Sequence, residues 1–279
     1  MKQLFFLVSF LLAFQCCVAQ TNIDFGLHAG LSVYSGDLSP QPAGFSFDDL
    51  GYTGGAFFRF QFASWLAFRT GLNYTHVRAE DSRGSSVNLG LNFRNNIFEL
   101  NGVLEITPYN VGYYSSRVVI VPYLAVGAGA FAFNPKTERN GEIINLQPLG
   151  TEGQGIVGNE PLYNRLAIAY PFGVCIRFIR NDNVSVGVEI LGRVLSTDYI
   201  DDVSGTEIRV GDILDNRGEE VLNISNPRLS SNTNPDLTYR RGGFFNDFYY
   251  VASLTVSWRI QRGNTVYRPG KKGVICPRF

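Results

Sequence analysis

Three carboxylates crowd one short stretch, TDYIDDVSGT (197–206): Asp198, Asp201 and Asp202. Side chains of this type and spacing can do three kinds of work. A close pair can share a proton and act as acid and base. Converging oxygens can hold a cation or a lipopolysaccharide-linked ion. Carboxylates beside a Ser-Gly turn can also simply accept hydrogen bonds from loop amides. A calcium site takes about six to eight oxygens and the EF-hand spacing is absent, so a structural rim is the expectation. Other chemistry-bearing residues are sparse. His28 and His76 stand alone, and Cys175 and Cys276 lie far apart, which is no clustered ligand set. No G-x-S-x-G elbow marks a nucleophile, so no enzyme, cofactor or small-molecule substrate is expected. Net formal charge is zero, which leaves no nucleic-acid footprint.

The elements that position these residues are strands. Aromatic residues make up 14% of the chain, charged residues only 17%, and glycines number 30, a composition that favours β structure. In IDFGLHAGLSVY (23–34), Ile23, Phe25, Leu27, Ala29, Leu31 and Val33 share one face, and Asp24, Gly26, His28, Gly30, Ser32 and Tyr34 the other. A period of two is a strand with one apolar and one polar side. The pattern returns seven times, with apolar sets such as Phe58-Phe60-Phe62, Phe98-Leu100-Leu104 and Val184-Val186-Val188-Ile190. Long connections (35–52, 79–95, 135–163, 197–243) alternate with short ones near 63–64 and 181–183, and the connection after strand four is intermediate. Eight strands with this alternation predict an all-β, eight-stranded antiparallel transmembrane β-barrel, with long extracellular loops, short periplasmic turns and a C-terminal periplasmic tail. A soluble lipocalin-like barrel would put its apolar face inside. Here the charged residues share the narrower, glycine-rich face. Trp65, Tyr109 and Trp258 fall at predicted strand ends, where an aromatic girdle belongs.

The first residues, MKQLFFLVSFLLAFQCCVAQ, pair Lys2 with an apolar run and end on Cys17-Val18-Ala19, as a secretory signal peptide does. The predicted organisation is a signal peptide over 1–19, a barrel over 20–260 and a basic tail over 261–279. The inward list holds Asp24, Arg59, Arg69, Glu99, Glu105, Arg177, Glu189, Arg193 and Arg259. A barrel of eight strands is just wide enough for its own side chains, so these charges are expected to pair as a packed polar core rather than to line a pore.

Several segments add a resemblance. SVYSGDL (32–38), FRNNIFEL (93–100), PYLAVGAGAFAFNPK (122–136), LQPLGTEGQG (146–155), AYPFGV (169–174), TDYIDDVSG (197–205) and CPRF (276–279) together resemble the PorG family of outer-membrane barrels in the type IX secretion system. The resemblance implies a non-enzymatic component of the cell outer membrane, associated with a periplasmic ring of PorK and PorN type. The side facing such a ring is the tail, which carries Arg262, Arg268, Lys271, Lys272 and Arg278 without an acidic residue. Pro269, Gly270 and Gly273 argue against a helix there. Two readings stand: a solvated basic end near anionic outer-membrane lipids, or an extended docking segment for an acidic partner surface. Cys276 either crosslinks to a periplasmic partner or is a simple exposed thiol, with Cys175 buried and free. A surface-exposed structural or adhesin-like barrel, acting through its long loops, is the alternative function.

Overall fold

The computed structural model describes residues 22–39, 49–63, 65–81, 89–108, 111–112, 119–156, 158–179, 183–243 and 246–261. The expected signal peptide, Tyr109 and the tail residues Arg262, Arg268, Lys271, Lys272, Cys276 and Arg278 lie outside these.

Eight long strands form the wall: β1 (Asn22–Ser35), β2 (Gly51–Gln61), β3 (Leu66–Glu80), β4 (Asn92–Ile106), β5 (Val119–Ala132), β6 (Leu166–Ile179), β7 (Val184–Leu195) and β8 (Phe248–Gln261). Each pairs antiparallel with its sequence neighbours. β1 pairs with β8, from Asp24 opposite Arg259 to Ser35 opposite Phe248, with one irregularity between Ile23 and Asp24. The sheet therefore closes as a barrel of eight antiparallel strands. Closure pairs the first strand with the last and so removes the two open edges of the sheet, a condition for β structure in hydrocarbon.

The alternation places the apolar set outside. Leu72, Leu100, Val174, Ile190 and Leu254 are all half or more exposed, although they are large apolar residues. Such a belt is costly in water and suits a bilayer. Near the short-turn end the belt meets Trp65 and Trp258, with the Trp258 indole stacked on Phe25 at 6.4 Å. At the opposite end Tyr74 bridges Tyr52 and Phe98, at 6.0 and 5.0 Å between centroids. Two aromatic girdles thus bound the belt. The strands are longer than the belt: about 14 residues at roughly 3.3 Å, tilted about 40°, rise some 35 Å against a belt of about 25 Å. Their loop-side ends project beyond it.

Among the described residues two helices follow β7: α1 (Val210–Arg217) and α2 (Glu219–Ser225). A short strand pair, Glu207–Arg209 with Thr238–Arg240, closes their base. Ile208, Val210, Ile213, Val221 and Leu222 form a small apolar core of their own, against Leu149 and Tyr239. A second ribbon, Lys136–Arg139 with Glu142–Asn145, extends the β4–β5 side.

Candidate functional site

The barrel interior is layered. Its lower part holds all nine charged residues of the inward list, eight of them buried and Arg259 partly so. Glu105 is the hub. It accepts two hydrogen bonds from Arg59, at 2.7 and 3.1 Å, and lies 3.5 Å from Arg69 and 3.7 Å from Arg177. Arg69 also reaches Glu189 at 2.5 Å, and Arg193 reaches Glu99 at 2.8 Å. Asp24 takes Arg259 at 2.8 Å. Neutral donors complete the carboxylates: Tyr123 donates to Glu189, and Asn73, Asn101 and Tyr249 donate to Glu99. Excluding solvent from so many charges is tolerable because nearly every one is paired and hydrogen-bonded. A void of about 20 Å³ beside His28, Arg69 and Glu189 has room for about one water. This is a packed polar core, as a barrel of this width requires. Cys175 is buried within it and free, beside Val103 and Tyr123. His76 faces outward, stacked on Tyr52 and bonded to Asn96 at 2.7 Å, an interfacial place rather than that of a base.

Above the charges the interior turns apolar. Val77, Phe93, Ile97, Phe131 and Val251 fill the loop-side end of the barrel. Residues from the connections after β1, β5 and β7 cover them, including Leu38, Phe133, Ile200 and Val203.

The opening carboxylates sit in this cover. They were expected to form a structural rim that caps loop amides, and in that place Asp201 and Asp202 are each only 1% exposed. The reason is that the connection after β7 folds back over the mouth instead of standing in solvent. Asp201 does accept a loop amide, from Val203 at 2.9 Å, as a turn carboxylate should. Its other oxygen lies 2.7 Å from the Tyr34 hydroxyl, which is also 2.6 Å from Asp247. A hydroxyl has one proton to donate, so one of the two carboxyls must carry a proton and donate it back. Burial first, and then the charge of neighbouring Asp247 and Asp37, pushes Asp201 well above the usual carboxylate range; burial lifts Asp247 likewise. Burial and the charges of Asp37 and Glu152 push Asp198 up to about 7.

Asp202 holds a second group. It adopts a left-handed backbone (φ 67°) and accepts hydrogen bonds from Thr151 at 2.5 Å and Tyr163 at 2.6 Å. Arg241 lies 3.5 Å from Asp202 and donates to Thr151 at 2.7 Å. Beside it, Glu152 accepts from the amide and hydroxyl of Ser204, at 2.8 and 2.6 Å, and burial raises its pKa to about 7. Hence LGTEGQG and TDYIDDVSG, far apart in sequence, are one buried unit. The glycines of the first segment are needed because Gly150, Gly153 and Gly155 all take positive φ, of 58°, 79° and 76°. Arg241 was invisible to sequence reasoning, since its partners come from two other segments. With these carboxylates buried, the group can store protons and hold loops together, and small clefts of about 180 and 400 Å³ reach it beside Asp201 and Arg241 and beside Glu152. Among the described residues no set of three or more His, Cys, Asp or Glu is placed to hold a metal ion.

A barrel sealed inside by ion pairs, sealed at the mouth by its own loops and belted with apolar residues is of the outer-membrane type. Residues 2–210 match the family model described as "Domain of unknown function (DUF6089)", and the chain belongs to that family. No curated protein matches it. Among solved structures it is similar to the outer membrane protein OprG of Pseudomonas aeruginosa, at 10% identity and a TM-score of 0.43, covering 86% of this chain and 98% of that one. It is also similar to Neisserial surface protein A (11%, TM-score 0.36, 87% and 97% covered). A third is Ail, the attachment invasion locus protein of Yersinia pestis (8%, TM-score 0.37, 87% and 99% covered). The barrel is defined by its own strand pairing, independently of these likenesses.

Proposed function

We propose that this protein resides in the outer membrane as a non-enzymatic component of type IX protein secretion. In this role it anchors or organises a periplasmic ring of PorK and PorN type. The observation that carries the reading is the pairing of LGTEGQG with TDYIDDVSG: the two most distinctive segments of the PorG resemblance are in contact through Thr151–Asp202 and Glu152–Ser204. The two segments form one structural unit, which supports reading the two matches together. The packed interior supports a part played from the surfaces, since no polypeptide fits through a lumen filled by arginine–carboxylate pairs. Docking is assigned to the basic tail, through Arg262, Arg268, Lys271, Lys272 and Arg278, with a Cys276 disulfide as an added link.

The test is a pull-down from detergent-solubilised membranes, comparing the full protein with one truncated after Ile260. Loss of ring components from the truncated sample, with the barrel still heat-modifiable, supports tail docking. Retention moves the contact to the short turns, and no ring component in either sample refutes the role. A second reading, a structural or adhesin-like barrel, draws on the ordered helix pair α1–α2 carried outside the wall. Under it, deleting 207–240 would abolish function and deleting the tail would not.

A further inference from the structure

One surface feature is unlike the rest of the belt. On the outside of the barrel, where β4, β5 and β6 approach the loops, lies a groove of about 700 Å³. That is within the range of sites that hold compact ligands, roughly 300–1,000 Å³. Its lower wall is a row across three strands: Phe98 is registered with Ala132, and Ala132 with Leu166. Phe98 and Leu166 are 62% and 60% exposed, and Phe98 belongs to the loop-side aromatic girdle. This row therefore borders hydrocarbon. The upper wall is polar and basic, with Lys136, Arg165, Asn134 and Asn164, and no carboxylate lines the groove.

The two cations are not matched by a carboxylate. Among the described residues neither Lys136 nor Arg165 makes an ion pair, and the guanidinium of Arg165 has only a 3.5 Å contact with Asn134. Nearby Arg94 differs, being matched by Glu138 at 2.5 Å. Two unmatched cations beside side-chain amides, directly above an apolar row at the membrane boundary, suit one kind of occupant. It must be an amphiphile, because a soluble anion would leave the row uncovered. It must carry phosphate for Lys136 and Arg165, and hydroxyls for the amides.

We propose that this groove binds a phosphorylated glycolipid of the leaflet that the loops face, with its phosphate at Lys136 and Arg165 and an acyl chain along Phe98, Ala132 and Leu166. The proposal goes beyond the secretion role and does not depend on it. Phosphate and cation meet in a partly dehydrated site, while the sugar bridges to the loops.

The probe is bis-phosphorylated lipid A added to the full protein in dodecyl maltoside, with binding read by native mass spectrometry. Removing two basic side chains at a membrane surface is expected to weaken retention by about thirtyfold. The double variant Lys136→Glu/Arg165→Glu should lose the adduct to at least that degree, and Lys136→Gln/Arg165→Gln should fall between it and the native protein. Both must stay heat-modifiable, which shows that the barrel is folded. Arg78→Glu is the control, an exposed cation on the outer face of β3 that lies two strands from Lys136, across Arg94, and does not line the groove. It should retain the lipid. Dephosphorylated lipid A should bind weakly, and so should phosphatidylglycerol. The proposal is overturned by unchanged binding in the double variant, or by equal loss in Arg78→Glu, which would mean diffuse attraction. Phosphatidylglycerol binding as tightly as lipid A would also overturn it.

Discussion

Replacing Glu105 with Gln should be among the most damaging single changes the barrel can suffer. The side chain keeps its size and much of its hydrogen bonding, so the effect isolates the charge. Glu105 serves Arg59, Arg69 and Arg177 at 2.7, 3.5 and 3.7 Å, with its own side chain fully enclosed. At an effective dielectric near 20, each contact is worth about 4 kcal/mol of gross attraction. Much of that is offset by desolvation, but desolvation of the arginines remains after the substitution. Breaking one buried pair typically costs about 3–5 kcal/mol, and here three cations lose a shared anion, so about 4 kcal/mol or more is expected. Arg177 should suffer most, because Glu105 is its ion-pair partner and its Nε has no hydrogen bond. The assay is the urea midpoint of the heat-modifiable band in detergent or lipid. Glu138→Gln is the comparison: its bond to Arg94 is 2.5 Å, but the side chains are 57% and 34% exposed, so less than about 1 kcal/mol should be lost. Equal midpoints for the two variants, or a native-like midpoint for Glu105→Gln, would refute the view that buried pairing holds this interior.

Other outcomes follow from the cover. Tyr34→Phe should leave Asp201 and Asp247 without their shared hydroxyl, at about 1–3 kcal/mol, and expose the 196–247 segment to protease while the barrel stays folded. Burial raises the carboxyls of Asp198, Glu152, Asp201 and Asp247, so the closed cover holds protons that an open one releases. Its stability is therefore complete below about pH 4 and falls as pH rises towards 7 and beyond; the protection of the cover amides, taken as exchange relative to the intrinsic rate at each pH, should be lower at pH 8 than at pH 5, and Asp201→Asn/Asp247→Asn should flatten that dependence. Cys175, buried and free, should resist maleimide in the folded protein and react only after unfolding.

The strands and their two faces were legible because a period of two survives in most wall segments, the fifth (118–133) being apolar on both sides with small residues on one, and one buried face fixes which residues point inward. All nine inward charges could be read this way. Their partners could not, because a lumen brings together strands remote in sequence: Arg69 meets Glu189 across 120 positions. The cover was hidden for a related reason. α1 and α2 have 8 and 7 residues, too short to be helical on their own, and they are held by apolar residues from the connection after β5 as well as their own. Asp201 and Asp202 read only as turn carboxylates of a structural rim, because nothing nearby in sequence announces Tyr34, Tyr163 or Arg241.

Tyr34 belongs to the first strand, Asp247 immediately precedes the last, and these two strands form the seam that closes the wall. Until the eighth strand is laid beside the first, that hydroxyl and that carboxyl cannot meet. The cover is thus an assembled epitope, discontinuous in the chain and present only on molecules whose barrel is complete. An antibody or any other surface partner that recognises it would count finished barrels and pass over those still open.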